Sequence, residues 1–222
     1  MFVAGNQIMF DRYPHIESQK ESQMAQVASP NLRKAEYGVD PRFVDRWSPR
    51  AFLSDPLSDD QVHSLFEAAR WAPSCFNEQP WIFAFARSEA DRALFATALS
   101  ERNRLWAPRA PLLGFVLSRT TFARNGKPNR WAGFDAGAAW MSLALQARQL
   151  GLYAHAMAGF NVEKARDILG VKSEEHLILA AIAVGRLGDP SQLPQDMQAQ
   201  EAPNSRQPQA VFLFEGKVNP AR

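Results

Sequence analysis

The run from Phe134 to Leu150 constrains the fold more than any other stretch of this chain. Ala136, Gly137, Ala138, Ala139, Trp140, Met141, Leu143, Ala144 and Leu145 leave little polar surface over its first two-thirds. Gly151 stands at the natural C-terminal stop of the helix that such a run forms. A helix that is apolar nearly all round is buried, either in a core or against another subunit. Its small residues let a neighbour approach closely.

Around this helix, further elements follow from spacing. Asp40-Pro41 reads as an N-cap with proline in the first helical position, opening a short helix toward Trp47. Ser58 opens a longer one, with Gln61 at the capping-box position. Val62, Leu65, Phe66 and Ala69 then share one face, and Pro73 closes the element. Trp81 to Ala86, Leu112 to Leu117, Tyr153 to Met157 and Ile178 to Val184 read as strands. Ser88 to Leu99 reads as a helix, and Asn161 caps another that runs to Leu169 and stops at Gly170. Residues 187 to 209 form a long extended connection rich in Pro, Gln and Asp, and Val211 to Phe214 is a last strand candidate. Strands and helices in alternation give an α+β fold, a mixed central sheet flanked by helices. Residues 1 to 30 are polar without an apolar period and form an N-terminal extension that is disordered or ordered by a partner. Met24 offers an alternative start. The single domain then covers 31 to 222, with the C-terminal end as an extended arm.

Composition excludes several functions. The net charge of +2 is too small to argue for nucleic acid or an anionic membrane as partner. The longest apolar runs, such as Leu177 to Gly185, fall far short of a membrane span. The first residues lack a basic start followed by an apolar core, so the expectation is a cytoplasmic protein. A single cysteine, Cys75, rules out an internal disulfide.

Two segments carry candidate chemistry. The first is Pro73-Ser74-Cys75-Phe76-Asn77-Glu78-Gln79-Pro80-Trp81, between a helix and a strand. Prolines stiffen it, while Ser74, Asn77 and Gln79 offer donors and acceptors suited to a flat polar heterocycle. It is either a ligand-binding loop or a rigid connection plugged by Trp81, whose ring anchors the next strand. Cys75 is a thiol nucleophile or, with no histidine beside it, a small side chain next to a ligand. The second is Arg46-x-Ser48-x-Arg50, whose forked guanidinium groups suit phosphate or form a solvated face. Arg206 lies in a similar proline-framed polar segment, Pro203 to Pro208. Gly-rich phosphate loops and metal-ligand spacings are missing, and His15, His63, His155 and His176 are isolated.

Arg46-x-Ser48-x-Arg50, then Ala72-Pro73-Ser74-x-x-Asn77-x-Gln79-Pro80-Trp81, then Pro203-x-x-Arg206, taken in that order, resemble the nitroreductase family of FMN-dependent oxidoreductases. Asn103-x-x-Trp106 before Ala110-Pro111, and Gly151-Leu152 leading to Ala158-Gly159-Phe160, extend the resemblance from about Arg42 to Lys217. The resemblance implies an intertwined homodimer with FMN at the interface. It implies that Arg46, Ser48 and Arg50 hold the FMN phosphate and ribityl chain and that Arg206 closes on the phosphate. Pro73, Ser74, Cys75 and Asn77 would come from the partner subunit to line the flavin ring. Asn103 would meet the ring's pyrimidine edge, and Ala158 and Gly159 would present backbone near flavin N5. The implied reaction runs at flavin N5 with no catalytic side chain: NADH or NADPH donates and a nitro compound, quinone or similar acceptor receives, by ping-pong turnover. The alternative is a flavin-sequestering protein without nicotinamide turnover. Trp106 stands where some members carry lysine, and Ala158 where some carry glutamate.

Overall fold

The computed structural model describes residues 31–218. The polar extension read over residues 1 to 30 lies outside the described residues. Helix α1 (Pro41–Asp45) opens as expected, with the Asp40 carboxylate accepting a hydrogen bond from the Arg42 backbone N–H. Helix α2 (Asp59–Arg70) carries both bonds of the Ser58–Gln61 capping box and buries Val62, Leu65 and Ala69. Strand β1 (Trp81–Ala86) follows, then α3 (Glu89–Ala96), capped by Ser88, and α4 (Glu101–Arg104), capped by Ser100. Next come β2 (Leu112–Arg119), α5 (Ala132–Gln149) and β3 (Tyr153–Met157). Helix α6 (Val162–Leu169) runs between the Asn161 cap and Gly170, whose φ of 65° is the left-handed stop that glycine adopts without strain. Strand β4 (His176–Gly185) and the short α7 (Gln195–Gln198) complete the regular elements.

The four strands form one sheet in the order β1-β2-β4-β3. All three ladders are antiparallel, with Trp81 opposite Ser118, Leu112 opposite Val184 and Tyr153 opposite Gly185. Period-two alternation sends β2 side chains to opposite faces. Leu113, Phe115 and Leu117 join Phe52, Trp106, Met157 and Ala165 in one core. Leu112 joins Val184, Ala154, Leu65, Leu143, Ala144 and Ala147 in the other, between the sheet and the helices α2 and α5. The α+β reading therefore holds, with helices on both faces of an antiparallel sheet.

Three local expectations are met only in part or not at all. Helix α5 buries Ala136, Ala139, Leu143, Ala144 and Ala147, yet Phe134 is 78% exposed and Gly137 is open. Sheet and α2 cover only one side of it in a single chain. Val211 to Phe214 makes no ladder; Gln209–Val211 is a 3-10 turn, and Val211, Phe212 and Leu213 are exposed. Among the described residues this segment pairs with no strand of the sheet. Trp81 is half-buried rather than enclosed, packed beside Phe83 and Trp140.

Candidate functional site

Four residues expected to bind an anion come together. Arg46 is the residue at which α1 ends and the backbone turns extended. The chain beyond it is stitched to the end of β4: Gly188 N–H donates to Ala51 O at 2.8 Å and Leu53 N–H to Arg186 O at 3.0 Å. The C-terminal arm, residues 199–206, returns along the same place. Arg46, Ser48, Arg50 and Arg206 thus line one cavity of about 780 Å³, although Arg50 and Arg206 are far apart in the chain.

Arg33 and His155 line the same cavity, and neither was identified from the sequence. Arg33 is a clamp between remote segments. Its Nε donates to Asn204 O at 2.6 Å, Nη2 to Asn204 Oδ1 at 3.0 Å and Nη1 to Arg46 O at 2.7 Å. Burial, then the charges of Arg206 and Arg46, push the Arg33 guanidinium down from its ordinary value. Burial and then Arg206 do the same to Arg46. Guanidinium groups nevertheless keep their protons in proteins, so the cavity gathers like charges that repel. A doubly charged anion such as a phosphate monoester relieves that repulsion and matches the forked donors.

His155, on β3, has its Nδ1 2.8 Å from the Pro49 carbonyl. A carbonyl only accepts, so Nδ1 carries the proton and Nε2 of the neutral ring is left as an acceptor. Burial, reinforced by the Arg50 charge and opposed by the Pro49 and Ser48 backbone contacts, pushes this imidazole down to about 4. The ring lies 4.7 Å from Trp106. Trp106 is itself fully buried against Phe52. In the place where some family members carry lysine, this chain has a core side chain instead of a charge.

Asn103, Ala158 and Gly159 form a second group, joined to the cavity through β3. Asn103 Nδ2 donates to Gly159 O at 2.9 Å, and Ser100 N–H donates to the same carbonyl at 2.9 Å. A Cβ at Gly159 would lie 2.8 Å from both Asn103 Nδ2 and Ser100 Oγ, so glycine permits the approach. Ala158, beside it, is exposed.

Pro73, Ser74, Cys75 and Asn77 do not line the arginine cavity of their own chain. They sit in a strained loop. Phe76, Asn77 and Gln79 have φ of 54°, 59° and 48°, a left-handed backbone that costs an L residue about 1–2 kcal/mol. The surroundings hold it there. Cys75 N–H donates to Asp135 Oδ2 at 3.1 Å and Gln79 N–H to Ser74 Oγ at 3.0 Å. Arg119 Nη2 donates to the Glu78 and Gln79 carbonyls at 2.8 and 3.0 Å. The Arg124 guanidinium stacks 3.8 Å over Phe76. Strain that is over-determined in this way clusters at ligand-binding and active sites.

Among the described residues, no group of three or more His, Cys, Asp or Glu could hold a metal ion, and no helix is long and apolar enough to cross a membrane. A solved structure described as an oxidoreductase containing FMN is 41% identical, with a TM-score of 0.81 over 86% of this chain and 98% of that one. Another, a provisionally named nitroreductase of Desulfovibrio desulfuricans in complex with FMN, is 26% identical, with a TM-score of 0.63 over 83% of this chain and all of that one (100%). A Streptomyces coelicolor protein provisionally named NADH dehydrogenase/NAD(P)H nitroreductase is 26% identical over 172 residues, which is 68% of this chain and 86% of that protein. The model of the nitroreductase family matches residues 44–105 and 96–186, well over half of the chain, and the chain belongs to that family.

Proposed function

We propose that this protein is an FMN-dependent oxidoreductase that takes electrons from NADH or NADPH and passes them to an electron-poor small molecule such as a nitro compound or quinone. The observation that carries the reading is the convergence of Arg46, Ser48, Arg50 and Arg206 on one cavity. That donor set fits the phosphate of FMN, as clustered guanidinium groups call for an anion. The FMN in two similar solved structures supports the same ligand.

When bound, FMN would supply the redox chemistry, hydride uptake and electron release at its ring. The chain's own residues bind and orient. Arg46, Arg50 and Arg206 hold the phosphate, and Ser48 takes the adjoining oxygens. Neutral His155 offers Nε2 as an acceptor to a ligand hydroxyl. Asn103, braced on the Gly159 carbonyl, presents an amide to the ring's pyrimidine edge, and Ala158 and Gly159 present backbone near N5.

Pro73, Ser74, Cys75 and Asn77 reach the flavin of a second copy. The exposed Phe134 side of α5 and the uncovered Val211, Phe212 and Leu213 support a homodimer. Donor and acceptor use one site in turn, which gives parallel lines in double-reciprocal initial-rate plots.

Purified protein is expected to be yellow and dimeric by light scattering, to release FMN on heating, and to bleach rapidly on mixing with NADH or NADPH. A flavin that neither donor bleaches would leave a flavin-holding protein in place of the reductase. A colourless monomer that takes up no FMN would end the proposal.

A further inference from the structure

Glu201 is a fully buried carboxylate, with a side-chain exposure of 0%, set behind the cation-lined cavity that its neighbours Gln200 and Ala202 line. A negative charge there opposes an incoming anion, and it needs a structural partner to persist. Its partners are specific. Oε1 accepts from the Arg50 backbone N–H at 2.6 Å and from the Ala51 N–H at 2.8 Å. Oε2 lies 3.6 Å from Arg50 Nη1, beyond a hydrogen bond, and has no other partner among the described residues. The Arg50 guanidinium is therefore steered but not consumed, with its side chain still 27% exposed.

The same residue fixes the arm. Glu201 N–H donates to Gln198 O at 3.1 Å, behind the buried Met197. Three positions on, Asn204 is gripped by Arg33, and Arg206 Nη1 bonds Asn204 Oδ1 at 3.1 Å. Glu201 is thus the buried tie between the segment that carries Arg50 and the arm that carries Arg206.

We infer that Glu201 is a positioning residue: it sets the arm against Arg50 so that Arg50 and Arg206 act on one phosphate. The inference rests on the reading of the cavity as the FMN phosphate site. It makes a selective demand, because loss of Glu201 weakens the hold on the phosphate and leaves the hold on the flavin ring intact.

The test compares FMN with riboflavin, which lacks the phosphate. The full chain, stripped of flavin and checked for folding by circular dichroism, is titrated with each ligand by flavin fluorescence. In the wild type, FMN binds more tightly than riboflavin. Glu201→Ala is expected to cut the FMN-to-riboflavin affinity ratio about tenfold, the scale of one charge-assisted hydrogen bond, with riboflavin affinity unchanged. Glu201→Gln keeps an acceptor for both N–H groups but loses the ion pair that steers Arg50; that loss outweighs the relieved repulsion of the anion, and about a threefold drop is expected. An equal loss for both ligands, or an unchanged ratio, overturns the inference. If Glu201→Ala does not fold, Glu201→Gln is judged by the same outcomes. A wild type without preference for FMN would instead sink the phosphate assignment, before any variant is made.

Discussion

The Asp135 carboxylate, in the first turn of α5, accepts a hydrogen bond from the backbone N–H of Cys75 at 3.1 Å. The carboxylate is 3% exposed as a residue and holds the strained loop by its start. Asp135→Ala removes a charged acceptor from a part-buried donor, which costs about 1–3 kcal/mol. Chemical denaturation should show that loss. Cys75 is the chain's single thiol, so its rate of alkylation by iodoacetamide reads the loop directly and should rise. Asp135→Asn keeps an acceptor and should lie nearer the wild type in both measurements.

Arg50→Ala should be purified largely colourless. A guanidinium hydrogen bond to phosphate is worth about 1.5–3 kcal/mol, which is roughly a tenfold to hundredfold loss of FMN affinity. The ratio of absorbance in the flavin band to that at the protein band checks occupancy. Full occupancy would remove Arg50 from the site.

Asn77 tests the loop's backbone. Its φ of 59° suits glycine and is tolerated by asparagine. A β-branched side chain in that conformation is penalised by about 1–2 kcal/mol. Asn77→Val should lower stability to urea by that amount, whereas Asn77→Gly should be close to neutral. Equal effects of the two would mean that side-chain contacts, not backbone strain, set the cost.

His155 predicts a pH dependence. Burial holds its imidazole down at about 4, against 6.5 for a free one. As pH falls, the unfolded chain takes up the proton first, so acid favours unfolding. The stability from the neutral ring is fully present above about pH 6.5 and is lost as pH falls through about 4. The Tm of the wild type should therefore drop more steeply over that window than the Tm of His155→Gln. Parallel curves would place the titration elsewhere.

Local rules made most of the fold legible. The Ser58–Gln61 box, the Asn161 cap and Gly170 each occur where side-chain chemistry placed them. Trp81–Ala86 and Tyr153–Met157 match their expected bounds residue for residue. Long-range pairing was not legible. Arg33 sits in no motif, and its role comes from Asn204, which only the folded chain brings beside it. Glu201 was lost in a stretch read as extended because its partners are backbone N–H groups, which carry no residue identity. His155 gave no local signal either, since its partner is the Pro49 carbonyl. The reading of Val211 to Phe214 as a strand rested on composition, and composition does not supply an edge to pair with.

Leu179 has no partner across the ladder: Val116 lies opposite Ala180, while Leu117 lies opposite Ile178. A single surplus residue inverts the inside and outside of everything beyond it in a strand. Ile178 consequently joins the Trp106 side of the sheet, while Leu179 turns toward α5. The two ends of β4 therefore keep separate phase. Changes at the His176 end can accumulate without rotating Val184 and its neighbours out of place, and it is the latter end that meets Phe52 and pairs with His155 of the arginine cavity.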